Sequence, residues 1–389
     1  MSFAVLALIC VAGAGGPLLA ALPRWGPPVV VGELLAGVAL GPMGLHWLHA
    51  TEPTFAFLAN VGFALVMFVA GSHVPVRDHR LLTALPVGLL RAVAVAAVSV
   101  PIALVIAHVF GTGHTVLYAV LLSSSSAALI LPVIDALRLE GTPVLRLLPQ
   151  IAVADAACIV ALPLAIDPAR AASAGWGALA VLACATVLFF ALRAAERRGW
   201  LRTMHRLSRR RKFALELRIN LAILFGLAAI AQVGRVSILL AGFAFGVAVA
   251  AIGEPRRLAR QLFAVTEGFF GPLFFIWLGS SLDLHALGHR PALIGLGAAL
   301  GIGAVLGHLV PRLMGQPIPL AALSSAQLGV PVAAATLGAQ SHLLSAGEPA
   351  ALILGALVTI AAASIAAHRA GHAPPARPGA DAVTSRPQA

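Results

Sequence analysis

Apolar runs of about 17–25 residues recur along almost the whole chain, the length an α-helix needs to cross the hydrocarbon core of a bilayer. That recurrence restricts the fold more than any other feature. A soluble chain of 389 residues would need far more surface charge than the 10% charged and 60% apolar composition supplies. The sequence therefore reads as an all-α polytopic membrane protein. Punctuation by Pro, Gly and Arg gives thirteen segments, near 2–22, 27–43, 53–71, 82–109, 113–136, 147–166, 172–192, 214–232, 236–252, 260–281, 291–313, 318–342 and 348–368. The second is short and opens at Pro27-Pro28, so the count carries a range of twelve to fourteen.

The loops test this count. Those after odd-numbered segments hold Arg24; Arg77 and Arg80; Arg138 and Arg146; the run from Arg193 to Lys212; Arg256, Arg257 and Arg260; and Arg312. Loops after even-numbered segments hold little beyond Arg170, Arg235 and Arg290. Basic loops stay cytoplasmic, so the alternation sets the N-terminus outside and the C-terminus inside a plasma membrane. It also accounts for the net charge of +12, carried by arginines and Lys212 alone, without invoking nucleic acid. The opening run MSFAVLALICVAGAGG lacks a basic leader region and reads as a first spanning helix. Cys10, Cys158 and Cys184 sit inside apolar runs without paired spacing, which indicates neither a disulfide framework nor a resident metal, and no cofactor is expected.

The basic stretch ERRGWLRTMHRLSRRRK (196–212) divides the chain. The expected organisation is a first membrane half (1–192), a cytoplasmic connector (193–213), a second half (214–368) and a disordered cytoplasmic tail (369–389), with no nucleotide-binding domain following. The connector reads as a topology determinant that meets anionic lipid headgroups, with a regulatory site as the alternative.

Two octets point to chemistry. SSAALILP (125–132) lies in the fifth segment, running inward, and SSAQLGVP (324–331) in the twelfth, running outward. The same device in opposite orientations on either side of the connector is what an inverted-topology repeat produces, with helices broken near the midplane building the substrate site. Pro132 and Pro331 each remove a backbone donor. The hydroxyls of Ser125, Ser126, Ser324 and Ser325 can satisfy freed carbonyls or offer oxygen ligands to a cation. Half-helix ends bring dipole termini into the membrane, where an ion feels them. Two ordinary proline kinks with serine back-bonding are the other reading.

Asp155 stands near the centre of the sixth segment, LLPQIAVADAACIVALPLAI. A carboxylate there costs about 2.5–3.5 kcal/mol on insertion scales, so such residues are rare and line ion pathways or proton relays. The alternative is an aspartate paired with a basic group for packing. His308, in GAVLGHLVPRL, offers a charge-compensating or pH-sensitive partner, against the plainer reading of a hydrogen-bonded structural residue. Glu33 reads as structural, Glu267 and Asp135 as interfacial, and glycines 297, 301, 303 and 307 as sites of close helix packing.

PPVVVGELLAGVALGPMGL, LANVGFALVMFVAGSHV, LLSSSSAALILPVIDAL and FFGPLFFIWLGSSLDL, in this order across about residues 5–368, together resemble the second cation:proton antiporter family. The resemblance implies thirteen helices, a dimerisation domain, and a core domain with two broken helices that cross near the ion site and move in an elevator-like fashion. It implies a homodimer and aligns Asp155 with the family's ion- and proton-carrying aspartate, and Ser125 and Ser126 with a polar pair in the first broken helix. His308 falls where many members carry Lys or Arg, Ala154 where Asp, Asn or Gln is usual, and Ser72-His73 where an acidic residue is common. The expected activity is secondary antiport of Na⁺ or K⁺ against protons, not enzyme catalysis. Proton-coupled transport of an organic solute and a non-transporting membrane sensor are the alternatives.

Overall fold

Among the described residues of the computed structural model, eight helices are long and apolar enough to cross a bilayer and four shorter apolar helices accompany them. The described residues are 1–21, 29–72, 79–166, 171–199, 215–233, 238–253, 262–341 and 343–371. In chain order the helices are α1 (Phe3–Gly13), α2 (Gly15–Ala20), α3 (Val29–Leu40), α4 (Pro53–Ser72), α5 (His79–Phe110), α6 (Thr115–Ser123), α7 (Ala127–Ala136), α8 (Thr142–Ile166) and α9 (Ala171–Arg197). There follow α10 (Leu215–Val233), α11 (Ile238–Ile252), a π-helical turn (Thr266–Phe270), α12 (Gly271–Ser281), α13 (Leu284–His289) and α14 (Pro291–His308). A 3₁₀ turn (Val310–Met314), α15 (Ile318–Leu323), α16 (Gly329–Ser341) and α17 (Glu348–Gly371) complete the fold.

Each expected segment has a helical counterpart, and the differences lie at the ends. The sixth was expected from 147, yet α8 begins at Thr142 and takes in Arg146. Gly141, at φ +101°, turns the chain out of the loop, and Pro143 then sits in the first turn, where its missing N–H has no partner to lose. α9 runs past 192 to Arg197, so the basic run starts on a helix. Residues 200–213 of the connector, residue 214, and 372–389 of the tail lie outside the described residues, as do Arg24, Arg77, Arg170, Arg235, Arg256, Arg257 and Arg260. The short helix α13 was not anticipated; Asp283 caps it by accepting from the Ala286 N–H at 2.9 Å.

Small residues set the helix contacts. A Cβ on Gly246 of α11 would overlap the carbonyl oxygen of Phe68 on α4, and one on Gly71 of α4 would overlap that of Phe243. The expected close packing of α14 has two partners: a Cβ on Gly297 would lie 2.7 Å from the Ala351 oxygen of α17, and one on Gly303 would lie 3.0 Å from Ile102 Cγ2 of α5. With no hydrophobic driving force between helices in lipid, such backbone approach is what holds them together. The segments carrying the octets are buried inside this packing: Leu121, Leu122, Ala333 and Ala334 belong to the core, and both segments are interrupted.

Candidate ion site

The interruptions fall at the serines and not at the prolines. α6 ends at Ser123, Ser124 is extended (φ −75°, ψ 151°), and α7 starts at Ala127. α15 ends at Leu323 and α16 starts at Gly329. Pro331 stands in the first turn of α16, where a missing donor is harmless, and Pro132 stands inside α7. The serine hydroxyls replace the lost helical bonds. Ser123 Oγ donates to Ala119 O (2.8 Å), Ser124 Oγ to Leu121 O (2.9 Å), Ser324 Oγ to Ala321 O (2.7 Å) and Ser325 Oγ to Ala322 O (2.7 Å).

The two breaks meet. The backbone N–H of Ser126 donates to Ala326 O at 2.8 Å, and Ser125 Oγ donates to Ser324 O at 2.7 Å. Gln327 ties the second break to the first, its Nε2 donating to Ser124 O at 3.0 Å, and its own N–H reaches Thr359 Oγ1 of α17 at 3.2 Å. The octet pattern did not single out Gln327, Ser124 or Thr359. The signal was present all the same: the octets differ at their fourth position, where the second carries an amide side chain in place of Ala128.

Asp155, on α8, is 4% exposed, and its Oδ2 accepts from the Ala127 N–H, the first of α7, at 3.0 Å. A carboxylate from one helix thus caps another, placed where the positive end of the α7 dipole favours negative charge. The carboxylate, Ser126, Phe274, Phe275 and Gly329 line a cavity of about 30 Å³. One water needs about 10–15 Å³ of such space, so the cavity holds one or two waters or a largely dehydrated alkali ion. Ala154 is buried beside the carboxylate and adds no polar atom to the lining.

His308, at the end of α14, is fully enclosed and makes no ion pair with Asp155. Its Nδ1 lies 2.9 Å from Ala304 O and its Nε2 lies 3.2 Å from Ser125 Oγ. A carbonyl only accepts, so Nδ1 carries a proton, and Nε2 of the neutral ring is then an acceptor. Ser125 has one proton for two acceptors, Nε2 and Ser324 O. Protonating the ring turns Nε2 into a donor and leaves the serine proton to Ser324. Of the expected site residues, the fold gathers Asp155, Ser125, Ser126, His308, Ser324 and Ser325 around one crossing. Pro132 and Pro331 lie beyond it, within the half-helices.

Two interrupted helices crossing beside a buried carboxylate give the architecture of a secondary membrane transporter. The transmembrane sodium/hydrogen exchanger family matches residues 6–368, and the chain belongs to that family. The solved structure of the sodium proton antiporter MjNhaP1 from Methanocaldococcus jannaschii shares the fold, with a TM-score of 0.63 at 16% identity over 95% of this chain and 96% of that one. GerN of Bacillus cereus, named a Na⁺/H⁺-K⁺ antiporter, is 24% identical over 85% of this chain and 82% of its own. YjbQ of Bacillus subtilis (strain 168), which carries a provisional Na⁺/H⁺ antiporter name, is 23% identical over 92% of this chain. The chain spans 61% of the length of YjbQ.

Proposed function

We propose that the protein is a secondary active antiporter that exchanges a monovalent cation, Na⁺ or K⁺, for protons through the single carboxylate of Asp155. The observation that carries this reading is the position of that carboxylate, in a cavity of about 30 Å³ at the start of α7 where the broken helices cross. Cation and proton compete for the same oxygens, and each neutralises the buried charge, so the occupied carrier crosses its barrier without an exposed ion. One carboxylate makes one-for-one, electroneutral exchange the simplest stoichiometry. A cavity this small favours an inorganic cation over an organic solute. The names of the relatives support the exchange reaction and span both Na⁺ and K⁺.

In this reading Ser126 lends oxygen to the ion and His308 reports pH through Ser125. The chain is a multi-pass protein of the plasma membrane with its N-terminus outside and its C-terminus cytoplasmic. It works as a homodimer, and its basic connector, between membrane halves 1–192 and 214–368, lies on anionic lipid.

Everted vesicles carrying a respiration-generated pH gradient test the proposal. Adding Na⁺ or K⁺ collapses the gradient with wild type and leaves it intact with Asp155→Asn, and the responding ion is the substrate. A collapse that survives Asp155→Asn, or none with folded wild type, overturns the reading.

A further inference from the structure

A second cavity, of about 240 Å³, lies among α1, α2, α3 and the π-helical turn that leads into α12. Its walls include Ile9, Val29 and Phe269, together with two carboxylates, Glu33 of α3 and Glu267 of the turn. Neither helps to form the Asp155 cavity. Glu33 is 3% exposed and has no hydrogen bond or ion pair among the described residues. It occupies its place because Gly16 has no side chain: a Cβ there would come within 2.9 Å of Glu33 Cγ.

A buried carboxylate without a partner is unfavourable by several kcal/mol unless a cation or a proton meets it. Glu267 brings a second negative group to the same space, and among the described residues no Lys, Arg or His lines it. Glu267 also sits in the π-helical turn Thr266–Phe270, an irregularity frequent at functional sites, where the Thr266 hydroxyl is buried without a partner. The volume decides the ligand class. It is eight times that of the Asp155 cavity and admits far more than a bare alkali ion. Beside the carboxylates, the wall residues Ile9, Val29 and Phe269 are apolar, and one is aromatic. An alkali ion on such walls would lack most of its oxygen shell. An alkylammonium ion gives N–H donors to the carboxylates, lays its carbon against Ile9 and Val29, and suits the face of Phe269.

We propose that this cavity is a binding site for a protonated primary amine, separate from the ion-exchange site. The test is titration of purified protein in detergent with n-butylammonium chloride, followed by calorimetry, against sodium chloride at equal ionic strength. Wild type and Asp155→Asn bind the amine alike, and Glu33→Gln weakens binding by at least about tenfold, the loss of one charged hydrogen-bond acceptor. Should Glu33→Gln not fold, Glu267→Gln decides in its place: weaker binding supports the site and unchanged binding overturns it. Absence of amine binding overturns the proposal, as does binding that disappears with Asp155→Asn but persists in Glu33→Gln. Sodium binding with the same Glu33 dependence overturns the amine assignment in favour of an alkali-ion site.

Discussion

At the residue scale, charge and hydrogen bonding separate at Asp155. Its Oδ2 accepts from the Ala127 N–H, and an asparagine retains a carbonyl oxygen for that bond while losing the charge. Asp155→Asn therefore keeps its thermal midpoint close to wild type as it ends exchange, whereas Asp155→Leu lowers the midpoint, because the N–H of α7 is left unmet at about 1–3 kcal/mol. Unfolding followed by intrinsic fluorescence separates the two. The one Ser125 proton serves two acceptors, His308 Nε2 and Ser324 O, so His308→Leu leaves the hydroxyl to Ser324 alone and slows exchange less than Asp155→Asn does, read in the same vesicle assay. A residue outside the site matters for stability alone. Tyr118 donates to Glu348 Oε1 at 2.7 Å and joins α6 to the start of α17. Tyr118→Phe destabilises the protein by about 1–3 kcal/mol with exchange at the permissive temperature unchanged.

At the element scale, the contact between α4 and α11 is made by backbone. Gly246→Ala forces a methyl group into the Phe68 carbonyl and lowers thermal stability by about 1–3 kcal/mol or more. Gly226→Ala in α10 is its control: nothing lies within 4 Å of the added carbon, and the better helix former leaves stability equal or higher. The helices themselves were legible, since apolar length and punctuation are local properties. The positions of the breaks were not. Proline is the usual sign of an interrupted helix, yet Pro331 falls in a first turn that tolerates it, and the helices stop instead at serines whose hydroxyls bond back to the last carbonyls. Glu33 shows the same limit. The sequence presents it as one acidic residue in a glycine-rich helix, and only the fold shows it buried with no hydrogen bond or ion pair among the described residues.

At the scale of the whole molecule, the two halves are interleaved. α4 packs on α11, α3 on α12 and α5 on α14, and the breaks of α6–α7 and α15–α16 meet at the centre. A protease site engineered within residues 200–212 and cut after purification leaves both fragments in one particle by size-exclusion chromatography; separation into halves would contradict this interleaving. The element between the two cavities is equally shared. Glu267 and Phe269 border the larger cavity, and Phe274 and Phe275, one or two turns later, border the smaller. The bond from Ser126 N–H to Ala326 O, where the breaks cross, runs from main chain to main chain. No side-chain replacement other than proline at position 126 deletes it. Substitution at Ala154 or His308 can therefore alter the neighbouring chemistry while this bond persists. The crossing is in this sense insulated: one of its ties belongs to the backbone, and the side chains around it can be exchanged without cutting that tie.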